Sequence, residues 1–218
     1  MSGRKQFDVD AALDRAMQVF WQRGYADASL DLLGSATGLG RGSLYGAFGG
    51  KDALFRQCLD RYASIYGSRY ERALATHPDE PVRAVEAFFG VVLERIADPA
   101  VPDGCLIAQS ALQSPTLTAH SRTHVQALLG NQRELVSAAL STSEIDAEEV
   151  NDLAVFVVAV TQSLAVLSRA GTPDADLRSV VRIACTTVAE TLASRCLSSG
   201  SRTCSASNSS RASATGRT

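Results

Sequence analysis

Apolar positions recur at a helical period along most of the chain. Val9, Leu13, Ala16, Met17, Phe20 and Trp21 stand three or four residues apart, which predicts an amphipathic helix from Val9 that ends at Gly24. Ser29, whose hydroxyl can cap orphan backbone amides, opens a short helix with Leu30, Leu32 and Leu33 on its apolar stripe. Gly38 suits a sharp exit that needs positive φ. A second short helix, over about 41 to 48, keeps Leu44 and Phe48 for the core and projects Arg41, Ser43, Tyr45 and Ala47 outward. Two short helices around a glycine turn describe a helix-turn-helix, whose second helix fits the DNA major groove.

From Lys51 to about Leu74 one longer helix is expected, with Leu54, Phe55, Cys58, Leu59, Tyr62, Ile65 and Tyr66 on its apolar face. His77-Pro78-Asp79-Glu80-Pro81 breaks the pattern. A body follows: Val82, Val85, Phe88, Phe89, Val92, Leu93 and Ile96 share one face, and a proline-bounded loop over 98–103 leads to a short helix from Gly104-Cys105 to near Ser114. Long helices are expected over 117–140, 147–169 and 174–197. Leu153 to Val160 is apolar on every side and must be covered on more than one face, by a monomer core or by a second copy of the chain. The organisation read from these patterns is all-α: a basic arm (1–8), a three-helix head (9–50), a linking helix (51–76), a helical body (79–197) and a tail (198–218). The tail holds almost no large apolar side chains and is expected to be disordered.

Composition narrows this picture. Over 218 residues the hydrophobic share is 45% and the aromatic share 6%, as suits helical packing. The net charge of −2 rules out a global basic field, and residues 1–61 hold 8 Lys+Arg against 7 Asp+Glu, so attraction to DNA must come from a few placed cations. Five cysteines without a CxxC pair or a signal peptide read as reduced cytoplasmic thiols. No membrane span is expected, because the longest apolar run is shorter than the roughly 20 residues a bilayer needs. No nucleophile–base pair, phosphate loop or metal cluster appears, so neither an enzyme nor a cofactor is expected. His120 and His124 stand at i, i+4 but lack further ligands at metal-binding spacing.

Gly38-Leu39-x-Arg41-Gly42-Ser43-Leu44-Tyr45, then Phe48, Lys51 and Leu54, behind the helix from Val9 to Gly24, resembles the TetR-type family of transcriptional regulators. The likeness is close over roughly the first 60 residues and extends further only in the all-helical layout. Gly40 and Gly50 stand where that family usually has a capping serine, and Ala47 where an aromatic is common. The resemblance implies a dimeric, ligand-responsive regulator, most simply a repressor on a pseudo-palindromic operator. Its body would bind an effector, and its last two helices, at 147–169 and 174–197, would form the dimer.

On DNA, Arg41 is the candidate for a bidentate guanine contact or a phosphate contact, Ser43 and Ala47 could touch base edges, and Gly42 allows close approach. By resemblance Tyr45, Lys51 and Ser29 hold phosphates. For the effector, Cys105, Gln109, His124, Thr161 and Gln162 are polar groups on apolar stretches between the helices starting near Val82, Gly104, Leu117 and Ala147. Two alternatives stand beside this reading: a helical interaction module that has lost DNA binding, and a regulator sensing electrophiles or oxidants through Cys105.

Overall fold

The computed structural model of the chain describes residues 8–142 and 145–205, with 195–205 described by backbone alone. Among the described residues are nine α-helices, one 3-10 turn and no strand. The helices are α1 (Val9–Asp27), α2 (Leu30–Thr37), α3 (Arg41–Phe48), α4 (Lys51–Ala75), α5 (Pro81–Ala97), α6 (Leu106–Leu112), α7 (Ala119–Leu140), α8 (Ala147–Arg169) and α9 (Asp174–Ser205). This is the expected all-α layout, a helix-turn-helix head followed by a helical body.

The head closes around aromatic rings. Phe20 and Trp21 are fully buried; Phe20 meets Phe55 edge-on at 5.0 Å and Trp21 meets Tyr62 at 4.9 Å. Leu33, Leu44 and Phe48 bring α2 and α3 onto the same core. The residues that complete it, Leu54, Phe55, Cys58 and Leu59, belong to the first half of α4. Tyr62, Tyr66 and Tyr70 continue that face into the body, so one helix of 25 residues, about 37 Å long, belongs to both halves.

Several expectations need correcting. Leu32 is 44% exposed, because it lies one residue, about 100° of helix, from Leu33, which takes the core position. Val9 and Ile65 are exposed for the same kind of reason. Asp8, assigned to the arm, instead caps α1 by accepting from the Ala11 amide at 3.1 Å. Gly24 does break the first helix, at φ 77 and ψ 174, yet a further helical stretch runs on to Asp27. The last helix reaches Ser205, past the boundary expected at 197; the rest of the tail and arm residues 1–7 lie outside the described residues. The α8 helix is long and apolar enough, by length and composition alone, to cross a membrane, which its longest uninterrupted run did not suggest. Here Val150, Leu153, Val157 and Leu164 on it are buried within the bundle.

Head and body are tied by side chains from several elements. The Gln113 side chain, just after α6, accepts from the Tyr25 amide at 2.8 Å and lies where a Gly24 side chain would be. Arg169, ending α8, donates to the Gln22 carbonyl at 2.8 Å and to the Trp21 carbonyl at 3.3 Å. Asp52, in the first turn of α4, accepts from Ser121 at 2.7 Å and Thr118 at 2.9 Å at the start of α7.

Gly24→Ala therefore forces a Cβ into a backbone region that side chains rarely adopt and displaces Gln113. It is expected to destabilise the chain by about 2 kcal/mol. Gly130→Ala, on open helix surface, should instead raise stability by up to about 1 kcal/mol. Urea midpoints of the two variants check both signs.

Candidate nucleic-acid interface and effector cavity

The reading helix is held by few groups. Ser29 caps α2, accepting from the Leu32 amide at 3.1 Å, and Gly38 leaves the helix at φ 73 with its amide on the Gly34 carbonyl. Leu39 also bonds that carbonyl at 3.1 Å, and a side chain at Gly34 would meet the Leu39 oxygen at 2.9 Å, so this turn depends on a glycine at each end. Leu44 and Phe48 anchor α3, while Arg41, Gly42, Ser43, Tyr45, Gly46 and Ala47 face solvent. All the outward positions expected on this helix are thus on one accessible surface.

Besides Ser29, two of the DNA-site candidates already have partners. Arg41 forks onto Asp31 of α2, with Nη2 2.8 and 2.9 Å from its two carboxylate oxygens and Nε at 3.1 Å. The pair is largely solvated, so parting it costs about 1 kcal/mol at most. Lys51 is half-buried, with Nζ 3.3 Å from the Ala26 carbonyl and 4.7 Å from the centre of the Tyr25 ring. Burial lowers its pKa, with Asp27 opposing. Gly50, expected to act as a passable substitute for a capping serine, adopts φ 108, and a side chain there would meet the Tyr45 ring at 3.0 Å. The glycine suits this backbone, which would strain a serine.

The body candidates do not converge on one site. A cavity of about 220 Å³ lies between α4, α6 and α7; Tyr62, Tyr66, Tyr70, Cys105, Leu128 and Gln132 are among its walls. Cys105 faces it as the residue capping α6, and Gln162 reaches it indirectly by donating to Gln132 at 3.0 Å. Gln109 and Cys105 instead line an outer cleft of about 440 Å³ with Arg23, Leu112 and Arg169. His124 is not at the cavity: its Nε2 lies 2.7 Å from Asp60 on α4. Thr161 is buried but spends its hydroxyl on the Val157 carbonyl at 2.9 Å, within its own helix. The walls from α4 replace those expected from α5 and α8.

The sequence pattern places Tyr62 and Tyr66 in the core, leaves Tyr70 unassigned and passes over Arg95. That arginine is 2% exposed on α5 and donates to the Gly104 carbonyl. An arginine between Leu93 and Ile96, inside an apolar stripe, was the available signal. Burial raises the hydroxyl pKa of all three tyrosines, so they are neutral donors at physiological pH.

Asp52, linking the head to α7, is the titratable group whose shift bears on the junction. Burial works against its charge, but the hydroxyls of Ser121 and Thr118, and then Arg56, outweigh it and hold the carboxyl below its ordinary value of 3.8. Its stabilisation is therefore present above that value and is lost as pH falls through the lower folded one.

Residues 12–58 match the family model described as bacterial regulatory proteins, tetR family, and residues 81–183 match that of the transcriptional regulator LmrA/YxaF-like C-terminal domain. The HTH-type transcriptional repressor ComR of Escherichia coli (strain K12) is 29% identical over 189 residues, covering 84% of this chain and 89% of the relative. Among solved structures, the TetR family regulator CifR, in a cysteine-substituted form complexed with 26 bp double-strand operator DNA, superposes with a TM-score of 0.75. It is 32% identical, over 84% of this chain and 97% of that one. A TetR regulator from Chloroflexus aurantiacus, 24% identical, shares the fold with a TM-score of 0.73, over 83% of this chain and 93% of its own.

The Asp52 linkage gives a checkable sign. Asp52→Asn should lower the urea midpoint at pH 7 by an amount worth about 1 kcal/mol. The gap from wild type should close as the pH is taken below 3.8.

Proposed function

The chain belongs to the TetR family of bacterial transcriptional regulators, and on that premise we propose that it is a repressor whose two copies bind a pseudo-palindromic operator and let go when a small molecule occupies the body. The observation that carries the DNA reading is the bare outer face of α3, where Arg41, Ser43, Tyr45 and Ala47 stand free of the core on an anchored helix. Gly42 and Gly46 put no side chain in the way there. Arg41 leaves Asp31 for a guanine edge or a phosphate, an exchange that costs little because the pair is solvated. Tyr45, Lys51 and Ser29 flank it on the phosphates, Lys51 turning from the Ala26 carbonyl to do so. The protein acts in the cytoplasm, where the operator is.

One reading helix spans few base pairs, so a second copy is needed for affinity and register. The dimer reading rests on α8 and α9. Val155 and Val166 are each 46% exposed and Ile183 is 56% exposed, with Ala159 and Ser163 between them offering close approach. A stripe of this kind, self-complementary about a two-fold axis, suits an isologous four-helix contact. The effector reading rests on the cavity against α4, since a ligand there touches the helix that carries the head. Ligand and DNA then favour different arrangements, and each weakens the other's binding.

Fluorescence anisotropy with the chain's own upstream DNA tests this. Arg41→Ala is expected to weaken specific binding by about 1–3 kcal/mol, roughly ten- to a hundred-fold. Val166→Glu with Ile183→Glu should give a monomer by light scattering and abolish operator binding with the head still folded. Wild-type chain that ignores that DNA at low salt, or a monomer that binds it as tightly, overturns the reading.

A further inference from the structure

Arg95 is a buried charge without a counter-charge among the described residues. No described carboxylate forms an ion pair with it. Nη1 donates to the Gly104 carbonyl, while Nε and Nη2 are buried without a partner at full hydrogen-bond geometry, the Tyr70 hydroxyl beside the guanidinium being a weak one. Tyr66 lies beneath the guanidinium, its ring centre 5.8 Å from Cζ. Burial opposes the charge, but a guanidinium holds its proton so tightly that the side chain stays cationic. An isolated charge in such a place is costly unless something pairs with it.

The groups around Arg95 are also the walls of the inner cavity. Tyr62, Tyr66, Tyr70 and Cys105 form one end of it, and Leu128 and Leu135 belong to its apolar lining. The Tyr62 hydroxyl is buried with no full hydrogen-bond partner, the Cys105 thiol beside it being a weak one. The tyrosine walls thus offer the Tyr62 hydroxyl with the Arg95 charge directly behind them, and the remaining walls are mostly apolar, with Asn131 and Gln132 as their polar members. With about 220 Å³, the space takes on the order of ten non-hydrogen atoms, at the small end of ligand sites.

We propose that this cavity binds a small organic monoanion, a carboxylate on an apolar body, with its charge balanced by Arg95, its oxygen on the Tyr62 hydroxyl and its body against Leu128 and Leu135. A single cation matches one negative charge, so a phosphate monoester, near −2 at neutral pH, is excluded by the same count. The proposal rests on the reading of this cavity as the effector site.

Isothermal titration calorimetry on the full chain tests it, using benzoate and cinnamate against benzyl alcohol, cinnamyl alcohol and phenyl phosphate. The acids should bind at least about tenfold tighter than the matching alcohols and than phenyl phosphate. Arg95→Met should erase that advantage and, having lost an unpaired buried charge, should melt no lower than wild type. Arg95→Lys keeps the charge and should retain part of the preference, which also covers the case of a misfolded Met variant. Alcohols or phenyl phosphate binding as well as the acids, an acid preference that survives Arg95→Met, or no acid binding by about 10 mM would each overturn the assignment. Anisotropy with operator DNA reads the regulatory role separately. Acids that bind as expected yet leave DNA affinity unchanged would keep the site and remove its role as effector site.

Discussion

A single α-helix cannot be half in one place and half in another. The α4 helix packs Leu54, Phe55, Cys58 and Leu59 into the head and presents Tyr62, Tyr66 and Tyr70 to the cavity, without proline or a helical break between the two sets. Bending it would break backbone hydrogen bonds along its buried face and unseat the side chains packed there. A displacement of the tyrosine end is therefore carried to the head as a rigid motion. The ties of Gln113, Arg169 and Asp52 set what that motion works against, since each joins the head to a different helix of the body. On the proposed function, regulation follows from sharing one rod between two packing problems.

The same constraint explains the unequal treatment of glycine. Gly24, Gly38 and Gly50 stand at positive φ where the chain must turn sharply between head helices, and Gly34 admits the Leu39 carbonyl. The reading helix is thereby fixed by turns and two apolar anchors, Leu44 and Phe48, leaving its outer face free of structural duty. That freedom lets Arg41 rest on Asp31 in the absence of DNA at little cost.

Much of this was legible in the sequence, because spacing reports which face of a helix is apolar. The pair Leu44 and Phe48, the Ser29 cap and the Gly38 turn all follow from neighbours within one or two turns. What the sequence hid lies between distant residues. Asp31 and Arg41 meet across the helix-turn-helix corner, and His124 finds Asp60 from another helix, which no local pattern announces. Tyr62 and Tyr66 read as core because periodicity marks a buried face but does not distinguish a packed one from one bordering a void. Arg95 was missed because an arginine is ordinarily assigned to the surface, and its burial depends on Gly104, brought in from the next loop.

The claim that cavity occupancy moves the heads can be tested without knowing the natural ligand. Gly67 lies on the cavity wall of α4 with open space beyond its Cα, so Gly67→Phe fills that space covalently. Pulsed electron paramagnetic resonance between spin labels at position 47 of the two subunits reads the head spacing directly. A rigid α4 requires that spacing to differ from the unfilled protein, by several ångströms, in a variant that stays folded and dimeric. An unchanged spacing in such a folded, dimeric variant would contradict the account.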